Sequence, residues 1–164
     1  MTERSARFAF PFILPGQAQK EQFHNEALAA LDGLVHAAVE GIAGAPPSDP
    51  ADGECWLVDA GGSGAWAGRD DALACFNSAG WRFLTPVEGM SVWDKDAGFG
   101  RQWTGAAWSD GTVKVAAVEV EGQRVVGPRQ PDISDPVGGA TVDSEARAAI
   151  SAVIVTLKSH GLID

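Results

Sequence analysis

The sequence predicts an α+β fold: a small antiparallel, Gly/Trp-rich β module flanked by an N-terminal helix and a C-terminal helix. Three observations carry that prediction. All six tryptophans lie between Trp56 and Trp108, in short β-like runs cut by glycines. Turn signals at such regular spacing mark consecutive hairpins. Leu28, Leu31, Val35, Ala38 and Ile42 recur at alternating three- and four-residue steps, which draws one apolar stripe down a helix. Ala146, Ile150, Val153 and Leu157 draw a second, narrower stripe near the end of the chain.

The first region, residues 1–44, is an arm followed by an oligomerisation or anchoring helix. Arg4 and Arg7 precede Phe8-Ala9-Phe10-Pro11-Phe12-Ile13-Leu14-Pro15. Two prolines frame a run too short for a secretory core, so an extended arm is expected. Phe8, Phe10 and Phe12 then need a partner surface, supplied by a neighbouring subunit or the particle. From Gln19 onward no Pro interrupts the helical pattern, and Gly41, Gly44, Pro46 and Pro47 end it. Its stripe residues Leu28, Leu31, Val35 and Ile42 are candidate interface positions.

The second region, residues 45–111, opens on Pro46-Pro47-Ser48-Asp49-Pro50-Ala51-Asp52-Gly53, a linker of turn formers. The β runs follow: Cys55 to Asp59, Leu73 to Asn77, Trp81 to Thr85, Ser91 to Asp94 and Gly100 to Thr104. Trp81 and Phe83 share a strand face opposite Arg82, a core pattern. Trp66 and Trp108 follow Gly turns and, with Trp103, are the candidates for exposed stacking on a glycan.

The third region, residues 112–164, reads as a strand from Thr112 to Glu121, a turn at Glu121-Gly122, a strand at Arg124 to Val126, an extended connector and a helix. Thr141 is the expected N-cap, with Asp143 and Glu145 in the first turn. Ile150, Val153 and Leu157 are its candidate interface residues.

Charge and chemistry narrow the function. The 164 residues carry 12 Lys+Arg against 22 Asp+Glu, a formal net charge of -10. Phosphate contacts need clustered basic residues, so no nucleic acid and no anionic membrane surface is expected as partner. No apolar run is long enough to span a bilayer. His24, His36 and His160 have no second His or Cys at ligand spacing. Asp94-Lys95-Asp96-Ala97-Gly98 opens like a calcium loop but lacks the later oxygen ligands, so a hairpin turn is expected. Gly61-Gly62-Ser63-Gly64 reads as a flexible turn, and Asp70-Asp71 as exposed turn residues. No catalytic residue, metal or cofactor is expected, and no enzyme. Cys55 and Cys75, the only two cysteines, sit in apolar strand-like runs. Free buried thiols and a single bridge are both open, with synthesis inside the cell weighing against the bridge.

Several segments together resemble a domain-of-unknown-function family of structural proteins from alphaproteobacterial tailed phages and gene transfer agents. They are Leu14-Pro15-Gly16-Gln17-Ala18-Gln19-Lys20, His24-Asn25-Glu26-Ala27-Leu28, Leu31-Asp32, Pro50-Ala51-Asp52-Gly53, Gly64-Ala65-Trp66-Ala67-Gly68 and Gly80-Trp81-Arg82-Phe83. Val126-Gly127-Pro128-Arg129-Gln130-Pro131 and Arg147-Ala148-Ala149-Ile150 through Ile163 resemble a closing module of such virion proteins. The resemblance implies a tail or head-spike protein, made in the bacterial cytoplasm and carried on a virion or phage-like particle. The expected role is the base or adaptor of a head spike or fibre that supports host attachment. Its partners would be other copies of itself (five preferred, three the alternative), capsid or other virion proteins, and a further spike or fibre protein. A tail-associated part, or a carbohydrate-binding module on host capsular polysaccharide, is the alternative.

Overall fold

The computed structural model describes residues 4–13, 20–140 and 143–164. Among these residues two α-helices and antiparallel-rich β structure give an α+β fold. The chain divides into two compact units, Met1–Thr112 and Val113–Asp164.

In the first unit, helix α1 spans Lys20–Leu34. Strands β1 (Ala38–Val39) and β2 (Ile42–Ala43) follow at once. The hairpin strands are β3 (Cys55–Val58), β4 (Leu73–Asn77), β5 (Gly80–Leu84), β6 (Ser91–Asp94) and β7 (Phe99–Gln102). One sheet has the order β2-β3-β4-β5 and the other β1-β6-β7. The pairs β3–β4, β4–β5 and β6–β7 are antiparallel, as the glycine-punctuated runs predict.

The helix is shorter than its stripe suggested. Val35, Ala38 and Ile42 are not helical, and Gly41 and Gly44 do not end the helix. Instead β1 pairs in parallel with β6, and β2 in parallel with β3. Ala38 sits opposite Trp93, and Ile42 opposite Leu57. A β-branched segment with two waiting sheet edges gains more from ladder bonds than from two extra helical turns. Gly41, buried between the two strands, lets the chain cross from one sheet to the other: a Cβ there would lie 3.3 Å from the Cβ of Asp96.

Alternation gives the four-stranded sheet two buried faces. Cys55, Leu57, Leu73 and Cys75 join Ala37, Val39 and Val92 on one side, with Leu84, Met90 and Trp108 against them. Val58, Ala74 and Trp66 form the other side, covered by Ala43, Trp56, Trp81 and Phe83. This second layer is mostly aromatic. Trp66 meets Trp81 edge-on at 5.1 Å and Trp56 at 6.5 Å, and Phe76 lies 5.1 Å from Trp81.

The second unit contains β8 (Val118–Val120), β9 (Gln123–Val126) and helix α2 (Ser144–Ser159). The expected strand from Thr112 is confined to its last residues. Glu121 and Gly122 form the turn, both at positive φ. Thr141 lies outside the described residues; Asp143, expected in the first turn, is itself the N-cap and accepts from the Ala146 amide at 2.8 Å. Gln130 pairs in parallel with Ile163, and Lys158 and Arg147 hold the connector through Asp132 and the Pro136 and Gly138 carbonyls. Among the described residues of this unit, only Ile154 and Ile163 are buried.

Candidate functional site

The N-terminal segment is not the free arm the sequence suggested. Arg4 bridges to Pro11, and the loop between them folds over the end of α1. Its anchor is Asp32, which is 4% exposed. One carboxylate oxygen accepts the Ser5 hydroxyl and the Phe8 amide, both at 2.7 Å. The other accepts the Arg7 amide at 2.8 Å. Ser5 in turn accepts from the Phe10 amide.

Arg7 completes the latch from the other direction. Its guanidinium donates to the carbonyls of Asp32, Gly33, Val35 and His36 at 2.7–3.3 Å. The carbonyls of Asp32 and Gly33 are among those a helix C-terminus leaves without partners, at its partially negative end, and those of Val35 and His36 follow directly after it. A cation from the preceding segment therefore caps α1, while a carboxylate from α1 fixes that segment. Elsewhere on α1, Arg82 of β5 grips Glu26 with two bonds of 2.6 and 2.8 Å. That pairing holds the Glu26 carboxyl below its ordinary range, against a smaller opposing effect of burial.

The expected interface residues are distributed unevenly. Phe8 is exposed, stacked on Phe10 at 5.9 Å and 6.4 Å from His36; Phe10 and Phe12 are half-buried. Leu31, Val35 and Ile42 are exposed and Leu28 is half-buried. Beside Leu28, the inward face of α1 is built on small and polar residues: Asn25, Ala29, Asp32 and Gly33. Gly33 is required by close approach, since a Cβ there would stand 2.8 Å from the Cys75 sulfur. The larger side chains Phe23, Leu31 and Leu34 consequently point to solvent, Phe23 with 80% of its surface. Phe23 continues the line of Ala27, Ala30 and Leu34 on the flank of the stripe, ahead of its first large residue.

In the second unit, Ile150 and Val153 are exposed and Leu157 is half-buried. With Ile133, Pro136, Ala149 and Ile154 they line an open apolar groove of ≈ 420 Å³. The β8–β9 hairpin exposes Val118, Val120, Val125 and Val126 as well.

The candidate glycan-stacking residues turn inward, the core role that is the alternative for tryptophans in so small a sheet. Trp66 is fully buried. Its 3-10 turn at Gly64–Trp66 follows Gly62, where a Cβ would meet the Trp66 carbonyl at 2.7 Å. Trp103 is buried against Trp108, their rings 5.5 Å apart. Trp108 is half-buried, and its indole donates to the Asp71 carbonyl at 2.9 Å. The turns that carry these rings fold them inward, because small sheets need large side chains to close their cores. The outward tryptophan is Trp93, 52% exposed on β6 opposite Gly100. Alternation along β6 puts Val92 and Asp94 inward, and the buried Asp94 is held there by Arg101, which pairs with it at 2.6 Å, and by the Ala97 amide, which donates to it.

The Asp94-to-Gly98 segment is the β6–β7 turn. His36 lies beside Phe8, His24 is exposed, and His160 is the C-cap of α2. Among the described residues, no group of three or more His, Cys, Asp or Glu is arranged to hold a metal ion. No helix among them is long and apolar enough to cross a membrane. Gly61 to Gly64 and Asp70-Asp71 stand in turns, with Asp70 accepting from the Gly62 amide.

Comparison with known proteins places a family domain within the first unit. A family model described as "Protein of unknown function (DUF2793)" matches residues 24–109. The chain belongs to the DUF2793 family. The matched span runs from within α1 through the end of the second hairpin system, so the family domain comprises both sheets of the first unit. It includes Asp32, Arg82, the two cysteines and all six tryptophans, but neither the latching segment before α1 nor the second unit. Curated proteins gave no match. The segment Leu14 to Gln19, prominent in the sequence resemblance, lies outside the described residues.

Proposed function

We propose that this protein is a structural component of a phage-like particle: the base or adaptor of a head spike or fibre of a gene transfer agent or tailed phage, supporting host-cell attachment. The observation that carries the reading is the apolar surface it presents. Phe23, Leu31 and Leu34 on α1, and Ile150, Val153 and the β8–β9 valines in the second unit, face solvent in one chain. A 52-residue unit with two buried side chains among those described lacks the core that a self-sufficient domain needs. Subunits that cover one another's apolar faces in a closed ring resolve both features. The likeness of the early and closing segments to virion proteins supports placing that ring on a particle, where five copies suit a vertex.

The test is particle purification. Particles from a producing bacterium should carry the protein at a fixed ratio to the capsid protein, through density banding and salt washing. Its absence from banded particles overturns the reading. Presence only in detached tails moves it to a tail-associated part.

A further inference from the structure

We propose that Cys55 and Cys75 are a site of oxidative modification, a dithiol that a small peroxide converts to a cross-strand disulfide within one chain. Both cysteines are free thiols, with Cys55 1% and Cys75 9% exposed. They are direct partners in the β3–β4 ladder, and their sulfurs lie 2.7 Å apart.

The parity of the ladder makes this pairing suitable. The Phe76 amide bonds the Glu54 carbonyl, and the Val58 amide bonds the Ala72 carbonyl. In an antiparallel ladder hydrogen-bonded pairs alternate with non-hydrogen-bonded ones. Glu54–Phe76 and Val58–Ala72 being bonded pairs, Cys55–Cys75 is a non-hydrogen-bonded pair. Such pairs bring Cα atoms to about 4.5 Å, within the range a disulfide spans without backbone movement.

Access is provided from one side. A cavity of ≈ 30 Å³ is lined by Cys55 and Cys75 together with Ser5, Arg7, Asp32 and Gly33. That is room for about one water molecule, so a peroxide fits with little adjustment and a tripeptide disulfide does not. The Cys75 thiol can donate to a Cys55 thiolate, which with nearby Arg7 holds Cys55 below its usual range against burial; the same pairing and burial push Cys75 up. That pairing favours Cys55 as the first sulfur to attack.

The chemistry balances with hydrogen peroxide as the oxidant. The Cys55 thiolate attacks one peroxide oxygen, the O–O bond breaks, and the departing hydroxide takes a proton to become water. Cys55 is then a sulfenic acid. The Cys75 sulfur attacks the Cys55 sulfur, the S–O bond breaks, and the hydroxyl leaves as water with the Cys75 proton. Two thiols lose two electrons, and one peroxide becomes two waters.

The experiment treats the reduced full-length protein with hydrogen peroxide and, separately, with oxidised glutathione, without denaturant. Thiol titration, intact mass and non-reducing peptide maps are the readouts. The expected result is loss of both thiols and of two hydrogens from the monomer mass, with a Cys55–Cys75 linked peptide, at least about tenfold faster with peroxide at equal concentration. In Cys75→Ser, a sulfenic acid should be trapped at Cys55 by a dimedone probe, while Cys55→Ser should leave Cys75 unlabelled. Retention of both thiols in the native wild-type protein, or disulfides only between chains, would overturn the proposal. Equal rates with the two oxidants would overturn the role of the cavity.

Discussion

Replacing Asp32 by Ala removes the side-chain carboxylate that takes three donors of the N-terminal loop. Three donors lose it: the Ser5 hydroxyl and the Arg7 and Phe8 amides, at 2.7, 2.8 and 2.7 Å. A hydrogen bond to a charged group contributes about 1.5–3 kcal/mol, which puts three near 4.5 kcal/mol at the lower limit. The real loss is smaller, because the loop can swing into water and recover bonds there, and because a buried carboxylate no longer has to be desolvated. A net destabilisation of about 2–3 kcal/mol remains. Urea unfolding at constant slope measures it. Limited trypsinolysis reads the same event locally, since Arg7 is held against four carbonyls in the wild type. The variant should be cut after Arg7 under conditions where the wild type resists. A midpoint shift worth less than about 0.5 kcal/mol, with Arg7 still protected, would refute the latch.

Other substitutions report on other parts. Asp94→Asn should destabilise by about 2–3 kcal/mol, since one partner of a buried ion pair is left behind. Burial pushes the Asp94 carboxyl up, but the Ala97 amide and the Arg101 guanidinium outweigh it and leave it below its ordinary value. Its contribution is therefore present at neutral pH and lost as pH falls from about 4 through the lower folded value, so an acid titration of stability should be shallower in the variant. Trp66→Ala empties the centre of the aromatic layer and should cost about 3–5 kcal/mol by denaturant unfolding. Trp93→Ala should change stability by less than about 0.5 kcal/mol, while removing the tryptophan emission most open to iodide quenching. Phe8→Ala keeps the backbone bonds to Asp32, so on the proposed role it should lower particle loading with little effect on unfolding.

The glycine spacing and the tryptophan runs made the hairpins legible, because turn chemistry is local and β3 to β7 each lie between such turns. The first helix was legible in kind but not in length. Periodicity could not foresee that Ala38–Val39 and Ile42–Ala43 would find two sheet edges, a tertiary gain that overrides a local pattern. The same limit hid the latch. Asp32 stands outside the apolar stripe and reads as a solvated acid until Ser5, Arg7 and Phe8 are seen folding onto it. The inward turn of Trp66 depends on Gly62, whose missing side chain acts across four residues. For Asp94, burial follows from a partner seven residues away rather than from its own polarity. Pairing of the cysteines could be posed from the sequence, but only strand register brings the sulfurs together.

The central claim is that the outward apolar faces of α1 and of the second unit are covered by further copies of this chain. Native mass spectrometry of the purified full-length protein at micromolar concentration tests it most directly. A closed ring predicts one dominant species at an integral multiple of the chain mass, five on the preferred arrangement and three on the alternative. Phe23→Asp with Leu34→Asp, or Ile150→Asp with Val153→Asp, should convert that species to monomer without unfolding the first unit. A wild-type protein that is wholly monomeric, in isolation and when released from particles, would contradict the account.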